Sequence, residues 1–131
     1  MGQKDKISDW MNPGVISTTA DESIYSIARA MKDLKIGSLV VVDSDDIPMG
    51  IITSSDIINK VVAENLSPRS TLVNEVMTQN IITGRMDENM SDAAYKMTNA
   101  HIKKLPIIDS SGKLVGILTT TDISRFCADK E

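Results

Sequence analysis

Short apolar runs alternate with amphipathic stretches along this chain, and the alternation predicts small strands separated by helices. In the first half, residues 15–17 form a short apolar strand, and residues 24–34 place apolar side chains at the three- and four-residue spacing of a helix that opens at an acidic start, residues 21–23. Two apolar runs within residues 39–52, joined by an acidic turn, predict a hairpin. A last helix is predicted from residue 54 to about residue 63.

The second half of the chain repeats this order. Shifted by 66 positions, residues 11–57 align with residues 77–123 without a gap. The identical pairs include Met11 and Met77, Met31 and Met97, Gly50 and Gly116, Thr53 and Thr119, and Asp56 and Asp122. The order β-α-β-β-α therefore occurs twice, with the second copy's strands and helices predicted at residues 81–83, 90–100, 105–118 and 120–127. Repeats of this size usually bury their apolar faces by stacking on each other, so we expect one module with repeat one at 7–64, a linker at 65–72 and repeat two at 73–128.

Composition and charge exclude several classes of function. The chain has 131 residues, a net charge of -4 and a pI of about 4.9, which argues against broad binding to nucleic acid. No apolar run is long enough to span a bilayer and the N-terminus lacks a secretory signal, so we expect a cytoplasmic protein. A single cysteine and a single histidine leave no disulfide within the chain and no Cys/His metal cluster.

No catalytic constellation is recognisable, and we expect the protein not to be an enzyme and to need no catalytic cofactor or metal. His101 is predicted at a helix end, and Cys127 is predicted to be a small packed or terminal residue. The acidic cluster at residues 43–46 fits a hairpin turn better than a calcium loop, since the closing glutamate of such a loop is missing.

Each repeat carries Thr-x-x-Asp where a strand turns into a helix, at Thr53 to Asp56 and at Thr119 to Asp122. One interpretation is a capping box, in which the threonine caps the helix and the aspartate reaches back to the threonine amide. The other is a ligand site, because a carboxylate can accept hydrogen bonds from two neighbouring hydroxyls and free amides at a helix start favour an anion. Both roles are compatible in one protein.

The pattern of Met-x-x-x-Val-Ile, an acidic helix start, Leu-Pro-Ile-Ile-Asp and Gly-Ile-Leu-Thr-x-x-Asp resembles the CBS domain, the family named after cystathionine β-synthase. Two copies resemble a CBS pair, or Bateman module. The resemblance implies a mixed α/β fold of the α+β type, with two repeats packed through their sheets about a pseudo-two-fold axis and two clefts between them. It also implies a homodimer, and a regulatory, energy-sensing role in which the clefts bind AMP, ADP, ATP, S-adenosylmethionine or a related adenosyl compound.

The resemblance further assigns roles to residues. The motif aspartate accepts hydrogen bonds from the ribose hydroxyls, the motif hydroxyls contact phosphate, the first strand of each repeat lines the adenine pocket, and a basic pair before Leu105 faces phosphate. The implied ligand-binding residues are Ile16, Ser17, Thr18, Thr53, Ser55, Asp56, Ile82, Thr83, Lys103, Lys104, Pro106, Thr119, Thr121 and Asp122. Repeat one has Gly37-Ser38 in place of the lysine pair, so we expect the Asp122 cleft to bind a phosphorylated ligand more tightly than the Asp56 cleft.

Two functional hypotheses follow. The first is a stand-alone sensor module that binds an adenosyl ligand and acts on an unknown regulated protein. The alternative is a dimeric protein-interaction module with no nucleotide ligand. The intact Thr-x-x-Asp in both repeats favours the first.

Overall fold

The structure, a computed structural model that describes residues 5–129, contains the order β-α-β-β-α twice. The strands are β1 (Ser17–Thr18), β2 (Ser38–Val42), β3 (Pro48–Thr53), β4 (Gly84–Arg85), β5 (Lys104–Ile108) and β6 (Leu114–Thr119). The helices are α1 (Ile24–Leu34), α2 (Ser54–Ile57), α3 (Met90–Ala100) and α4 (Thr120–Asp129). A turn of 3-10 helix precedes each copy, at Ile7–Asp9 and Val73–Glu75.

The strands form two three-stranded sheets, β1-β2-β3 and β4-β5-β6. In each sheet the short first strand is parallel to the central strand, and the hairpin that follows is antiparallel. Two small mixed sheets with four helices confirm the predicted α+β class.

The chain divides into two compact units. One consists of Ile16–Ile81 and contains Asp56; we call it the Asp56 unit. The other combines the described residues up to Val15 with those from Ile82 onward and contains Asp122; we call it the Asp122 unit. Each unit therefore takes in the segment that lies just before the other unit's first strand in the sequence.

These segments complete the sheets by pairing with the last strand of each hairpin. In the Asp122 unit, Asn12 and Ile117 exchange two backbone hydrogen bonds of 2.9 and 3.0 Å. In the Asp56 unit, Thr78 and Ile51 exchange bonds of 2.8 and 3.0 Å. The two pairs stand at equivalent positions of the repeat.

The glycine before each of these isoleucines allows the close approach. A Cβ on Gly50 would lie 2.8 Å from the Met77 sulfur and 2.9 Å from the Thr78 carbonyl oxygen. A Cβ on Gly116 would lie 2.7 Å from the Met11 sulfur. The glycine and the methionine that recur in both repeats therefore contact each other: Gly50 packs against Met77, and Gly116 packs against Met11.

Each unit buries its own core under its helices. The periodicity of α1 correctly predicts burial of Ile24, Ile27 and Met31, whereas Ala28 and Leu34 on the same predicted face are exposed. In α3 the buried positions are Met90, Ala93 and Met97. The Asp56 core also contains Leu39, Val41, Ile52, Val61, Val73, Val76 and Met77. The Asp122 core also contains Ile7, Leu105, Ile107 and Leu118.

The first strand of each repeat lies later in the chain than the sequence predicts. Residues 15–17 were expected and β1 is Ser17–Thr18; residues 81–83 were expected and β4 is Gly84–Arg85. The isoleucines that indicated these strands, Ile16 and Ile82, are 41% and 40% exposed and lie before the residues that pair with the central strand. Helix α1 does begin directly after the acidic start, as predicted: Ser23 is its N-cap and accepts from the Ser26 amide at 3.1 Å.

The last helix of the first repeat also differs from the single helix expected. Its α-helical part ends at Ile57 and continues as a π-helical turn, Ile58–Val62. The equivalent helix α4 is a continuous α-helix of ten residues. His101 ends α3 as a left-handed C-cap with φ 55°, which confirms its predicted place at a helix end.

Candidate functional site

The two Thr-x-x-Asp motifs lie where β3 meets α2 and where β6 meets α4, and both form capping boxes. At the first, the Asp56 amide donates to the Thr53 hydroxyl oxygen at 3.0 Å, and the Thr53 amide donates to Asp56 Oδ2 at 3.0 Å. At the second, the Asp122 amide donates to the Thr119 hydroxyl oxygen at 3.3 Å, and the Thr119 amide donates to Asp122 Oδ2 at 2.8 Å. The capping role predicted for the motif is therefore present in both units.

Capping uses only one oxygen of each carboxylate. The other oxygen, Oδ1, lies 3.3 Å from the Lys60 ammonium at Asp56 and 2.9 Å from the Arg125 guanidinium at Asp122. An ionised carboxylate has about four acceptor positions. The described residues donate to Asp122 three times, counting the Thr119 hydroxyl, which leaves acceptor capacity for a further hydroxyl donor.

Lys60 and Arg125 were missed from the sequence. The signal that could have found them is a basic residue one helical turn after the motif aspartate, at the i+4 or i+3 position. The two cations do not occupy equivalent positions in the repeat, since Lys60 aligns with Phe126 and Arg125 with Asn59. The repeat itself therefore does not mark these two cations.

Lys103 and Lys104 both lie beside the second motif in the sequence, but they occupy different surroundings in the structure. Lys104 is directly opposite Thr119 in the β5–β6 ladder, so their side chains share a face of the sheet. Lys103 lies just before β5, and its carbonyl oxygen accepts from the Thr120 amide at 3.0 Å. In the Asp56 unit the residue opposite Thr53 is Ser38, which carries no charge.

Lys103 instead lines a groove on the helical side of the Asp122 unit. The groove has a volume of about 480 Å³ and is bordered by Met97, His101, Thr120 and Ile123. Asp122 does not border it, so the structure does not bring Lys103 to the motif carboxylate.

The segments predicted to line an adenine pocket differ in detail between the units. Ile16 and Ile82 are 41% and 40% exposed, and each precedes the first strand of a sheet. In the Asp122 unit the Thr83 carbonyl accepts from the Lys96 ammonium at 3.1 Å, and that ammonium also pairs with Glu88 at 2.9 Å. Ser17 and Thr18 form β1 and pair with Val40 and Val41.

The remaining predicted residues are placed as follows. Ser55 and Thr121 are exposed at the middle of their motifs, one position before the aspartates. Pro106 is buried in the central strand β5, opposite Ile117.

Away from the motifs, the pKa of Tyr25 on α1 is shifted from its ordinary value. The Arg29 guanidinium donates to the Tyr25 hydroxyl at 3.1 Å, and the hydrogen bond and positive charge of Arg29, with the charge of Arg69, lower the pKa of Tyr25. The Arg69 guanidinium lies 3.9 Å from the centre of the Tyr25 ring.

Residues 5–129 contain neither a membrane-spanning helix nor a cluster of metal-ligating side chains. Within that range no helix is both long and apolar enough to cross a membrane. Within the same range no three histidine, cysteine or acidic side chains gather as a metal ion would require.

Comparison with known proteins identifies the repeat. The family model of the CBS domain matches the chain twice, at residues 7–63 and 73–129. The chain belongs to the CBS domain family. Its two repeats together form a CBS pair, as the sequence pattern indicates.

A solved structure supports the same assignment. The CBS domain pair of protein MJ0100, in complex with 5'-methylthioadenosine and S-adenosyl-L-methionine, matches with a TM-score of 0.82 and 33% identity over 96% of this chain and 98% of that chain. A CBS pair similar to this one therefore binds adenosyl compounds.

The curated relatives are longer than this chain. An uncharacterized protein of Methanopyrus kandleri is 38% identical over 83% of this chain, which spans 56% of that relative. A homoserine O-acetyltransferase of Methanosalsum zhilinae is 39% identical over 92% of this chain, which spans 23% of that relative. The enzyme name belongs to the whole of the longer protein, of which the CBS pair is a fraction.

Proposed function

We propose that this CBS pair is a regulatory module, not an enzyme, that binds an adenosyl ligand through the carboxylates of Asp56 and Asp122. The observation that carries the proposal is the capping-box aspartate of each unit. One of its oxygens holds the strand–helix junction, while the other, facing a cation, keeps acceptor capacity. The adenosyl ligands bound by the similar CBS pair of MJ0100 support the ligand class.

The ribose is the part of the ligand that suits these carboxylates. Its two neighbouring hydroxyls are donors: at Asp122 one is proposed to take the remaining acceptor position and the other to compete with Arg125 for Oδ1. Hydrogen bonds to an ionised acceptor contribute about 1.5–3 kcal/mol each. Thr121 and Ser55 add exposed hydroxyls beside the aspartates. The apolar side chains of Ile82 and Ile16, together with the backbone of Ser17, Thr18 and Thr83, are proposed to receive the adenine, and buried Pro106 to shape the strand behind the site.

Phosphate binding is proposed for the Asp122 unit in particular. Lys104 shares a sheet face with Thr119, whereas Ser38 occupies the equivalent place beside Thr53. Lys103 borders the groove, away from the motif carboxylate, and is not part of the proposed phosphate site. AMP should therefore bind at Asp122 more tightly than at Asp56, and 5'-methylthioadenosine, which has no phosphate, should discriminate less between the two.

The first experiment is a thermal-shift and calorimetry panel with AMP, ADP, ATP, S-adenosylmethionine and 5'-methylthioadenosine. A ligand that binds only the folded protein stabilises it by about 2.7 kcal/mol at a hundredfold excess over its dissociation constant. Asp122→Ala should weaken AMP by more than tenfold, and Asp56→Ala should weaken it less. Equal losses in the two variants would contradict the proposed difference between the units.

Lys104→Met separates the phosphate from the nucleoside. It should weaken AMP by about tenfold, which corresponds to about 1.4 kcal/mol, and leave 5'-methylthioadenosine unchanged. Lys113→Met, on an exposed turn of the same unit, is the matched loss of charge and should change neither ligand. Equal effects on both ligands would show that Lys104 does not meet the phosphate.

A second candidate, a homodimeric protein-interaction module with no nucleotide, is favoured by one surface. Ile58 and Val62 lie four residues apart on the π-helical turn and are 58% and 65% exposed. Apolar side chains exposed side by side favour association. Sedimentation of the wild type and of Ile58→Glu tests this: a wild-type dimer that the variant dissociates, with no thermal shift from the ligand panel, would favour the second candidate.

A further inference from the structure

Each motif aspartate is held by a cation that also reaches a second place in its unit. Lys60, bound to Asp56 Oδ1, donates to the carbonyl oxygen of Val76 at 3.0 Å. Arg125, bound to Asp122 Oδ1, lies with its guanidinium carbon 5.5 Å from the centre of the Trp10 ring. Trp10 packs in turn edge-on against Phe126, with ring centres 5.6 Å apart.

The second contacts fall at the same position of the repeat. Trp10 and Val76 are 66 residues apart, the period of the repeat, although the cations themselves are at different positions and of different chemistry. One contact is a hydrogen bond to a backbone carbonyl and the other is a cation–π contact. The same link, from carboxylate through cation to this position, is therefore built twice from different residues.

The linked position lies in the segment that joins the units along the chain. Trp10 follows the turn Ile7–Asp9 and precedes Asn12, which pairs with Ile117; after Val15 the chain continues into the Asp56 unit. Val76 follows Val73–Glu75 and precedes Thr78, which pairs with Ile51; after Ile81 the chain continues into the Asp122 unit.

We propose that Arg125 and Lys60 are positioning residues that couple ligand binding at Asp122 and Asp56 to these two segments. The coupling rests on the proposed function, since it needs a ligand whose hydroxyls donate to Oδ1 and so compete with the cation for that oxygen. The Arg125 side chain is 62% exposed, and an ion pair in that setting adds little stability. The role proposed for this ion pair is instead to fix the positions of the Asp122 carboxylate and of the segment that contains Trp10.

The link can be measured without any ligand because Trp10 is the single tryptophan of the chain. Asp122→Asn removes the charge that holds Arg125 but keeps an oxygen for the Thr119 amide. Its Trp10 emission and acrylamide quenching should shift as they do in Arg125→Met. In the double variant the two shifts should not add, and Arg125→Lys should restore part of the wild-type signal.

Asp56→Asn is the matched control, because it makes the same change in the other unit, and it should leave Trp10 emission unchanged. Additive shifts in the double variant would overturn the proposal, as would an unchanged spectrum in Asp122→Asn. Circular dichroism of each variant separates these outcomes from loss of fold.

Titration with 5'-methylthioadenosine then tests the ligand's part. Binding, measured by calorimetry, should shift Trp10 emission in the wild type and not in Arg125→Met, while both proteins still bind. Calorimetric binding with unchanged Trp10 emission would overturn the coupling and leave the proposed function standing. If no compound of the five-ligand panel binds, both the proposed function and its coupling to ligand fail, and the ligand-free variants decide the ion-pair link alone.

Discussion

Replacing Gly50 with alanine has two opposing effects on stability: it restricts the unfolded chain, and it introduces a steric clash in the folded protein. Alanine restricts the unfolded chain, and where the native backbone tolerates it this stabilises a protein by about 0.4–1 kcal/mol. At Gly50, however, the new Cβ would lie 2.9 Å from the Thr78 carbonyl oxygen and 2.8 Å from the Met77 sulfur. The oxygen belongs to a backbone that is hydrogen bonded to Ile51, so it cannot move away without weakening that pair.

Overpacking of this kind costs about 1–3 kcal/mol, which exceeds the gain from the unfolded state. Gly50→Ala should therefore lower the free energy of unfolding by about 1–2 kcal/mol, measured by urea denaturation followed by circular dichroism. Gly116→Ala should cost less, because the nearest backbone oxygen, that of Asn12, is 3.1 Å away and the closer atom is the sulfur of the flexible Met11.

Gly37→Ala is the matched control. Its Cβ would meet only the Ser54 hydroxyl oxygen, at an ordinary 3.7 Å, so this variant should be neutral or slightly more stable than the wild type. A Gly50→Ala protein as stable as Gly37→Ala would refute the inference that the close approach of the Thr78 backbone requires glycine at position 50.

Three further outcomes are expected. Thr119→Ala removes the hydroxyl that caps α4 and should cost about 1 kcal/mol in urea denaturation, whereas Thr119→Ser should restore most of it. Leu118→Ala empties a fully buried place in the Asp122 core and should cost about 2–5 kcal/mol by the same measurement, so a loss under 1 kcal/mol would contradict the packing described. Spectrophotometric titration of a Tyr95→Phe protein should show Tyr25 ionising below the usual tyrosine pKa of 10.0, and Arg29→Met should move the midpoint upward; no movement would exclude Arg29 as the cause.

Much of the fold follows from the sequence because the signals are strong and occur twice. The periodicity of α1 predicts its buried face, and the turn at residues 43–46 predicts the hairpin of β2 and β3. The bounds of β1 and β4 are less predictable, since two residues of parallel pairing leave little pattern and the isoleucines just before them are exposed. The π-helical turn after Ile57 is not predictable from the repeat, since the corresponding residues of α4 differ in sequence and form an ordinary helix.

The candidate site was predictable at the motif and not around it. Capping by Thr53 and Asp56 follows from local spacing, which the sequence contains. The Lys60 contact with Val76 joins residues 16 apart, and the Arg125 contact with Trp10 depends on a segment that packs far from its place in the chain. Contacts of that kind are set by tertiary packing, so no local sequence pattern predicts them.

The central claim, that an adenosyl ligand binds through the two motif carboxylates, is tested most directly by calorimetry of AMP and 5'-methylthioadenosine against the wild type and the Asp56→Ala/Asp122→Ala double variant. The account predicts binding to the wild type and loss of measurable binding in the double variant, with circular dichroism showing that the variant is folded. Binding of unchanged affinity to the folded double variant would contradict it.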